Sequence, residues 1–398
     1  MKAALVKKEY LTPFVLITSL FFLWGFARSI LDVLNKHFQD AFEMTKASSA
    51  LVQVSVYLAY FLMAIPAGLY INRYGYRRGV VFGLLLFAVG AFLFIPSDFA
   101  MSFACFLISL FVLGCGLVFL ETAANPYAAT LGDPRTAASR LNLAQSFNGL
   151  GCIFGPFIMG SILFAESSSD SAPSIAVPYT VLGIFILLVA LVFTRVKLPE
   201  IQQETKAEEK APISGLWKHK GFTLGIIALL SYEIAEIAIN SFFVNYVCED
   251  GWMEPLQASA LLSFGALALF MVARVIGSLV MSRIAAERVL CFCAVMTVIG
   301  TILVIANIGL ASKIGLFACY AFEAIMFPTI FAISLKGLGA YTKRASSYLM
   351  MTPIGGAIGT YVMGYVADIS TMAWAFTVPC AGYIIVLLYS LTVQKRVP

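Results

Sequence analysis

The chain has 398 residues, of which 61% are hydrophobic and only 12% are charged, whereas soluble domains are about 25% charged. This composition excludes a soluble globular domain and indicates a polytopic protein whose solvent is lipid. We attribute the formal net charge of +5 to membrane topology, because basic residues accumulate on one side of a membrane, and not to nucleic-acid binding.

Twelve apolar runs are long enough to cross a bilayer, whose hydrocarbon core takes roughly 20 residues of helix. In chain order the predicted spans are 11–34, 50–72, 79–96, 101–125, 140–164, 178–195, 222–247, 256–282, 288–308, 314–336, 345–367 and 372–393. The first run is too long for a cleavable signal and contains Arg28 and Asp32, so we expect it to be retained. The predicted fold class is an all-α integral membrane protein with twelve transmembrane helices.

The distribution of Lys and Arg residues along the chain predicts its orientation in the membrane. If the N-terminus is cytoplasmic, most Lys and Arg residues fall in cytoplasmic segments, and only Lys36, Lys46 and Lys313 fall on the opposite side. Because short cytoplasmic loops are enriched in Lys and Arg, both termini are predicted to be cytoplasmic. We expect the membrane to be the inner, cytoplasmic one.

One polar segment divides the chain. "VKLPEIQQETKAEEKAPISGLWKHK", residues 196–220, lies between the sixth and seventh spans and contains two prolines among many charged residues. It predicts a cytoplasmic linker at 197–220, between an N-terminal six-helix half at 1–196 and a C-terminal six-helix half at 221–398.

The two halves carry an internal repeat. Glu121 precedes Pro126 by five residues in span four, and Glu323 precedes Pro328 by five in span ten. In the helices that follow, "GCIFGPFIMG" (151–160) aligns its glycines with those of "GGAIGTYVMG" (355–364). Glycines four residues apart let helices pack closely, which is a structural explanation for them. The duplication itself predicts two pseudo-symmetric halves, as in large secondary transporters.

Ionisable residues within spans are costly, by about 2.5 to more than 10 kcal/mol depending on the method, and commonly mark function. Apart from residues at the first or last position of a span, the predicted spans contain seven charged residues: Arg28, Asp32, Glu121, Glu233, Glu236, Arg274 and Glu323. Arg28 and Asp32 are four residues apart on one helix face, so they are either functional or a self-neutralising pair. For Arg274, a structural ion pair is the favoured explanation over a role in function.

Glu121 is the leading candidate for a proton carrier. It follows the uncharged run 105–120, and no cation lies within one helical turn of it in sequence. Desolvation favours the protonated form of a carboxyl group. Asn125 lies one turn further along the same face, and Pro126 removes a backbone donor and frees a carbonyl group nearby. Together these residues predict a polar notch in span four.

Amide and carboxylate side chains on other spans predict a site for a polyhydroxylated ligand. Amides both donate and accept hydrogen bonds, and span five carries three of them at three-residue spacing: Asn142, Gln145 and Asn148. Hydrogen bonding between helices would explain these amides equally well. Span seven places Glu236 and Asn240 four residues apart, and Glu323 is the counterpart of Glu121 in the repeat. Interleaved aromatic residues suit a sugar ring, namely Trp24, Tyr57, Tyr60, Tyr127 and Phe243.

Several motifs resemble known families. "GLYINRYGYRR" (68–78) resembles the major facilitator loop signature, with Arg73, Gly75 and Arg77 matching it and Asn72 standing where the family usually has aspartate. "LETAANPYAATLG", "RLNLAQSFNGLG" and "LFFLWGFARSILDVLN" resemble the fucose permease and glucose/galactose transporter family, and the similarity extends over nearly the whole chain.

That resemblance implies a twelve-helix major facilitator fold and import of a monosaccharide driven by a cation gradient. It assigns the family's two important carboxylates to Asp32 and Glu121, and its sugar-contacting asparagine to Asn148. The span-seven segment "AEIAINSFFVNY" is more similar to the glucose/galactose branch, which makes a glucose-type hexose the first expected substrate and fucose the second. Arg28 departs from the family, in which this position is neutral.

We therefore expect a proton-coupled monosaccharide transporter that works by alternating access, functions as a monomer and needs no cofactor or metal. Sodium coupling is the nearer alternative, since carboxylates and a freed carbonyl group also suit Na⁺. A membrane sugar sensor that does not transport is the second alternative. An enzyme is not expected, because no predicted span contains a histidine or a nucleophile with a nearby base. The eight scattered cysteines indicate packing and no metal site.

Overall fold

The structure is a computed structural model that describes residues 6, 10–131, 137–164, 174–196, 213–249, 251–281, 283–338 and 341–394. The described residues form helices and no strand. Those before the linker are α1 (Leu11–Phe42), α2 (Lys46–Ser49), α3 (Leu51–Tyr74), α4 (Tyr76–Phe92), α5 (Phe94–Phe99), α6 (Phe103–Thr130), α7 (Ala137–Leu163) and α8 (Ala176–Arg195).

The later helices begin with the short α9 (Ile213–Leu216). They continue with α10 (Lys220–Glu249), α11 (Pro255–Leu261), a π-helical segment (Leu262–Leu267), α12 (Ala268–Met281), α13 (Ala286–Ala306), α14 (Gly309–Glu323), α15 (Met326–Leu335), α16 (Thr342–Leu349), α17 (Ile354–Ile369), α18 (Met372–Ala375) and α19 (Thr377–Gln394).

Within the described part of the chain, eleven helices are long and apolar enough to cross a membrane. The predicted span at 345–367 is not among them, because turns at residues 350–353 divide it into α16 and α17. Pro353 explains the division, since a proline disfavours the α conformation of the residue before it. The eleventh predicted span, 345–367, is therefore present as two shorter helices.

The described residues form two compact units. In the first unit, which comprises Met1–Phe42 and Ser55–Gln203, α1 packs on α7, and α4 packs on both α6 and α8. In the second, which comprises Glu43–Val54 and Glu204–Pro398, α10 packs on α17, and α13 packs on both α14 and α19. Each unit thus pairs its first span with its fifth, and its third with its fourth and sixth. The sequence repeat corresponds to repeated packing.

Glycines at matching positions of the repeat bring these helices together. A Cβ atom on Gly151 of α7 would overlap the backbone of Phe22 on α1, and one on its counterpart Gly355 of α17 would overlap the backbone of Leu230 on α10. Helices in a bilayer associate through such close packing, because lipid gives no hydrophobic drive for them to associate. Close packing between helices is therefore sufficient to explain why glycines occupy these positions.

The short helix α2 is held by residues of the second unit. The carboxylate of Asp368 accepts hydrogen bonds of 2.8 Å from the backbone N–H groups of Lys46 and Ala47. Lys46 Nζ also lies 2.5 Å from the Glu249 carboxylate. These contacts group residues 43–54 with the second unit, although they precede the linker in the chain.

The predicted tenth span is interrupted between α14 and α15. Proline has no backbone N–H, so Pro328 leaves the carbonyl group of Ala324, four residues earlier, without its helical donor. Arg274 Nε of α12 donates to this carbonyl oxygen at 2.9 Å. Pro328 and Arg274, which are 54 residues apart in the chain, thus create and stabilise the interruption next to Glu323.

Candidate functional site

In the first unit the polar residues gather around Glu121 on α6. The Tyr60 hydroxyl of α3 donates a hydrogen bond to the Glu121 carboxylate, and Arg28 of α1 interacts with it electrostatically. Arg28 Nε also donates to the Tyr57 hydroxyl at 3.1 Å. The structure therefore supplies, from another helix, the cation that the local sequence of Glu121 lacks.

We call this group of side chains the Glu121 cluster. It consists of Trp24, Arg28, Tyr57, Tyr60 and Glu121. Trp24 Nε1 donates to the Tyr60 hydroxyl at 2.7 Å, and this hydrogen bond is buried. The two tyrosine rings lie 5.9 Å apart. Glu121 itself is half-buried.

The predicted amide residues have different partners. Gln145 Nε2 of α7 donates to Asn125 Oδ1 of α6 at 3.3 Å, which joins two of them across helices. Asn148 is buried, and its Nδ2 donates to the backbone carbonyl group of Phe21 on α1 at 3.2 Å. Asn142 lies in α7, but its side chain is outside the described residues. Asp32 is half-buried on α1, one turn beyond Arg28.

The second unit contains another polar cluster, formed by Tyr232, Glu236, Arg274, Glu323 and Tyr383. We call it the Glu323 cluster. Glu236 is buried and accepts a hydrogen bond of 3.1 Å from Asn240 Nδ2. Tyr383 of α19 donates its hydroxyl hydrogen to Glu323 Oε2. The predicted residues Glu236, Asn240 and Glu323 thus lie in or beside one buried network, and Glu233 is buried on the same helix.

The predicted signature loop lies between α3 and α4. Gly75 has a φ of +86°, a left-handed conformation that glycine adopts most readily, and the side chains of Asn72 and Arg73 are exposed. Arg77 Nε donates to the carbonyl oxygen of Phe193 at 3.1 Å, and its Nη2 donates to that of Thr194. Arg77 thereby satisfies two of the carbonyl groups left without partners at the end of α8.

Metal ligation finds no support among the described residues, which contain no group of three or more His, Cys, Asp or Glu side chains able to hold an ion. All eight cysteines are free thiols. The acids and amides instead offer acceptors and donors to a hydroxylated ligand, and the two clusters offer carboxyl groups to a proton.

Sequence reasoning missed the roles of several tyrosines. Tyr57 and Tyr60 were expected to offer aromatic rings to a sugar, yet their hydroxyl groups bind Arg28 and Glu121. The sequence gives no signal for the role of Tyr383, because this residue contacts Glu323 from a position 60 residues further along the chain.

Comparison with known proteins identifies the family. The model of the Major Facilitator Superfamily matches residues 17–348. The chain belongs to the Major Facilitator Superfamily. Within that superfamily it is 35% identical over 397 residues to a glucose/galactose transporter of Brucella abortus biovar 1 (strain 9-941), covering 98% of this chain and 96% of the relative. It is also 33% identical over 413 residues to an L-fucose-proton symporter of Escherichia coli (strain K12), covering 96% and 93%.

Solved structures agree with this assignment. The crystal structure of the Major Facilitator Superfamily transporter FucP in the outward conformation is 32% identical to this chain, with a TM-score of 0.74 and coverage of 97% and 99%. A D-xylose-proton symporter gives a TM-score of 0.79 at 12% identity over 97% of each chain, which supports the fold alone. The predicted major facilitator fold is confirmed.

Proposed function

We propose that this protein is a secondary transporter that imports a monosaccharide together with a proton by alternating access. One observation carries the proposal: a half-buried carboxylate, Glu121, faces a cation and accepts a tyrosine hydrogen bond, in a chain 35% identical to a glucose/galactose transporter over 98% of its length. A glucose-type hexose is the first substrate proposed, and fucose is the second.

The Glu121 cluster can couple proton movement to sugar binding through charge. When Glu121 is ionised, its charge is balanced by Arg28, and Tyr60 donates to it. Protonation removes the anion, so the cluster becomes cationic and the hydrogen-bond pattern around Tyr60 must change. Exposing or reorienting a buried charge costs several kcal/mol. Protonation of Glu121 removes this cost for the step of the transport cycle in which the carboxyl group is exposed or reoriented. We propose Asp32, one turn from Arg28, as the second coupling carboxylate.

We assign sugar contacts to the amides and acids predicted from the sequence: Asn125, Asn142, Gln145, Asn148, Glu236, Asn240, Arg28 and Glu323. The Gln145–Asn125 and Asn240–Glu236 hydrogen bonds support this assignment, because each pair keeps donor or acceptor capacity for hydroxyl groups.

The loop residues Asn72, Arg73, Gly75 and Arg77 are proposed to set the balance between the inward-facing and outward-facing conformations. We further propose that the protein works as a monomer in the cytoplasmic membrane, with both termini in the cytoplasm and halves at 1–196 and 221–398.

The test uses purified protein in proteoliposomes that contain a pH-sensitive dye. Adding glucose or galactose without an imposed gradient should acidify the lumen, and fucose should do so less strongly. Replacing Na⁺ at fixed pH should leave uptake unchanged, whereas loss of uptake would establish sodium coupling. Saturable sugar binding without any uptake or exchange would instead establish the sensor alternative.

A further inference from the structure

The second unit has a groove of about 470 Å³ between α12 and α14. Leu269 lines the groove from α12. The residues that line it from α14 include Leu310, Ile314, Phe317 and Ala321. Leu310 is 73% exposed and Ile314 is 58% exposed, so the groove is open to the surroundings of the protein. No residue of α12 is buried, so this helix packs only lightly on the rest of the unit.

The apolar wall of the groove matches one leaflet of a bilayer in length. Leu310, Ile314, Phe317 and Ala321 recur every three or four residues, so they lie on one face of α14. Over the eleven residue steps from 310 to 321 the helix rises about 16 Å, which is roughly half of the ~30 Å hydrocarbon core. Because α14 belongs to a segment long and apolar enough to cross a membrane, this exposed face meets acyl chains. The groove therefore fits an acyl chain of a lipid.

A cation lies at one end of this apolar face. Lys313 is in the second turn of α14, and its Nζ lies 4.2 Å from the centroid of the Trp252 ring. Trp252 is in the short connection between α10 and α11, so both residues are at one end of the spans, near the bilayer surface. Tryptophan and lysine side chains are common at the level of the lipid headgroups.

Lys313 differs from the other two lysines that are predicted to lie on the non-cytoplasmic side. Lys36 Nζ lies 2.7 Å from the Asp40 carboxylate. Lys46 Nζ lies 2.5 Å from the Glu249 carboxylate. Within the part of the chain that the structure describes, Lys313 has no acid partner of this kind, and its neighbour is an aromatic ring. An ammonium group has three N–H donors, and a ring face can engage only the side turned toward it. The groove thus combines an apolar wall with a positive charge that no described carboxylate neutralises.

We propose that this groove is a binding site for an anionic phospholipid, with the phosphate group at Lys313 and one acyl chain along α14. Lipid already surrounds the helices, so an acyl chain gains little by entering the groove, and selectivity comes from the headgroup. A single lysine near an anionic lipid gives a preference of roughly fivefold over a lipid without net charge. The site is separate from the Glu121 and Glu323 clusters. In the orientation proposed above, the bound lipid belongs to the non-cytoplasmic leaflet.

The test is photo-crosslinking of the full-length protein in lipid nanodiscs that contain phosphatidylglycerol with a photoreactive group in one acyl chain. Mass spectrometry of peptides then locates the labelled residues. We expect labelling of α14 at Leu310 and Ile314. Unlabelled phosphatidylglycerol should compete with this labelling roughly fivefold better than phosphatidylcholine with the same acyl chains. Ile314→Trp places a larger side chain in the groove and should remove the labelling.

Lys313→Gln should abolish the preference for phosphatidylglycerol, whereas Lys313→Arg, which keeps the charge, should retain it. The matched control is Lys36→Gln, which removes the same charge from the same predicted side of the membrane and should leave the preference in place. A preference that persists in folded, monodisperse Lys313→Gln protein would overturn the proposal.

Two results with the unaltered protein would also overturn it. Equal competition by the two lipids would mean that the groove holds ordinary solvating lipid, and an unlabelled groove would mean that something else, such as a second copy of the chain, covers it. Because the readout needs neither sugar nor a pH gradient, its failure is distinct from failure of the proposed function.

Discussion

Trp24 donates its indole N–H to the hydroxyl oxygen of Tyr60 at 2.7 Å. An indole N–H can only donate, so the Tyr60 hydroxyl group is the acceptor and its own hydrogen is available for Glu121. The three side chains form a directed chain of hydrogen bonds that ends on the carboxylate. When Glu121 is ionised, its carboxylate therefore accepts a hydrogen bond from a tyrosine whose own oxygen is held by Trp24.

Tyr60→Phe breaks this chain at its centre. The ionised form of Glu121 loses a donor, so the pH at which sugar uptake is half-maximal should rise. The buried Trp24 N–H also loses its acceptor, which should lower the free energy of unfolding by about 1–3 kcal/mol. Proton-driven uptake as a function of pH, together with thermal unfolding, checks both effects. The matched control is Tyr70→Phe on the same helix, and equal behaviour of the two variants would contradict the assignment.

Arg28→Gln removes the cation that Glu121 faces. The ionised carboxylate of Glu121 then loses its favourable interaction with that cation, so the pH of half-maximal uptake should rise by roughly one unit or more, the size of effect expected for a neighbouring opposite charge. Arg78→Gln, on the exposed start of α4, removes the same formal charge and should leave the profile in place. A shift of similar size in both variants would point to net charge and not to the Arg28–Glu121 interaction.

Gly359→Ala tests the packing that the repeat predicts. The new methyl group would overlap the backbone of Ile234, and overpacking of this kind costs about 1–3 kcal/mol. Gly68→Ala on α3 meets nothing within 4 Å and should be neutral or slightly stabilising, because alanine favours helix over glycine by about 1 kcal/mol. Thermal unfolding in detergent compares them, and an equally stable Gly359→Ala protein would refute close contact between α10 and α17.

The fold was largely predictable from the sequence, because its signals are local. Apolar run lengths gave the spans, and the matching glycines at 151 and 355 gave the repeated packing of the two units. The interruptions of the helices were harder to predict from the sequence. Pro328 predicts a freed carbonyl group, but the stabilising partner, Arg274, comes from another helix. The sequence therefore indicated a weak point in span ten without indicating that the helix would end there.

The candidate site was predictable only as a set of residue types. The four-residue spacing of Glu236 and Asn240 indicated a shared face, and the two side chains do form a hydrogen bond. The partners of Glu121 and Glu323 are tyrosines on other helices, and helical periodicity says nothing about which helices are neighbours. Asp32 and Asn148 were assigned by family resemblance, and their roles in transport stay predictions.

The most direct measurement compares Glu121→Gln with the unaltered protein in proteoliposomes, using sugar counterflow and sugar accumulation driven by an imposed pH gradient. Glutamine keeps the size of the side chain and its ability to accept from Tyr60, but it cannot exchange a proton. We predict that counterflow is retained and that accumulation against a gradient is lost. Concentrative uptake with undiminished dependence on the pH gradient would contradict the account, because Glu121 would then not carry the coupled proton.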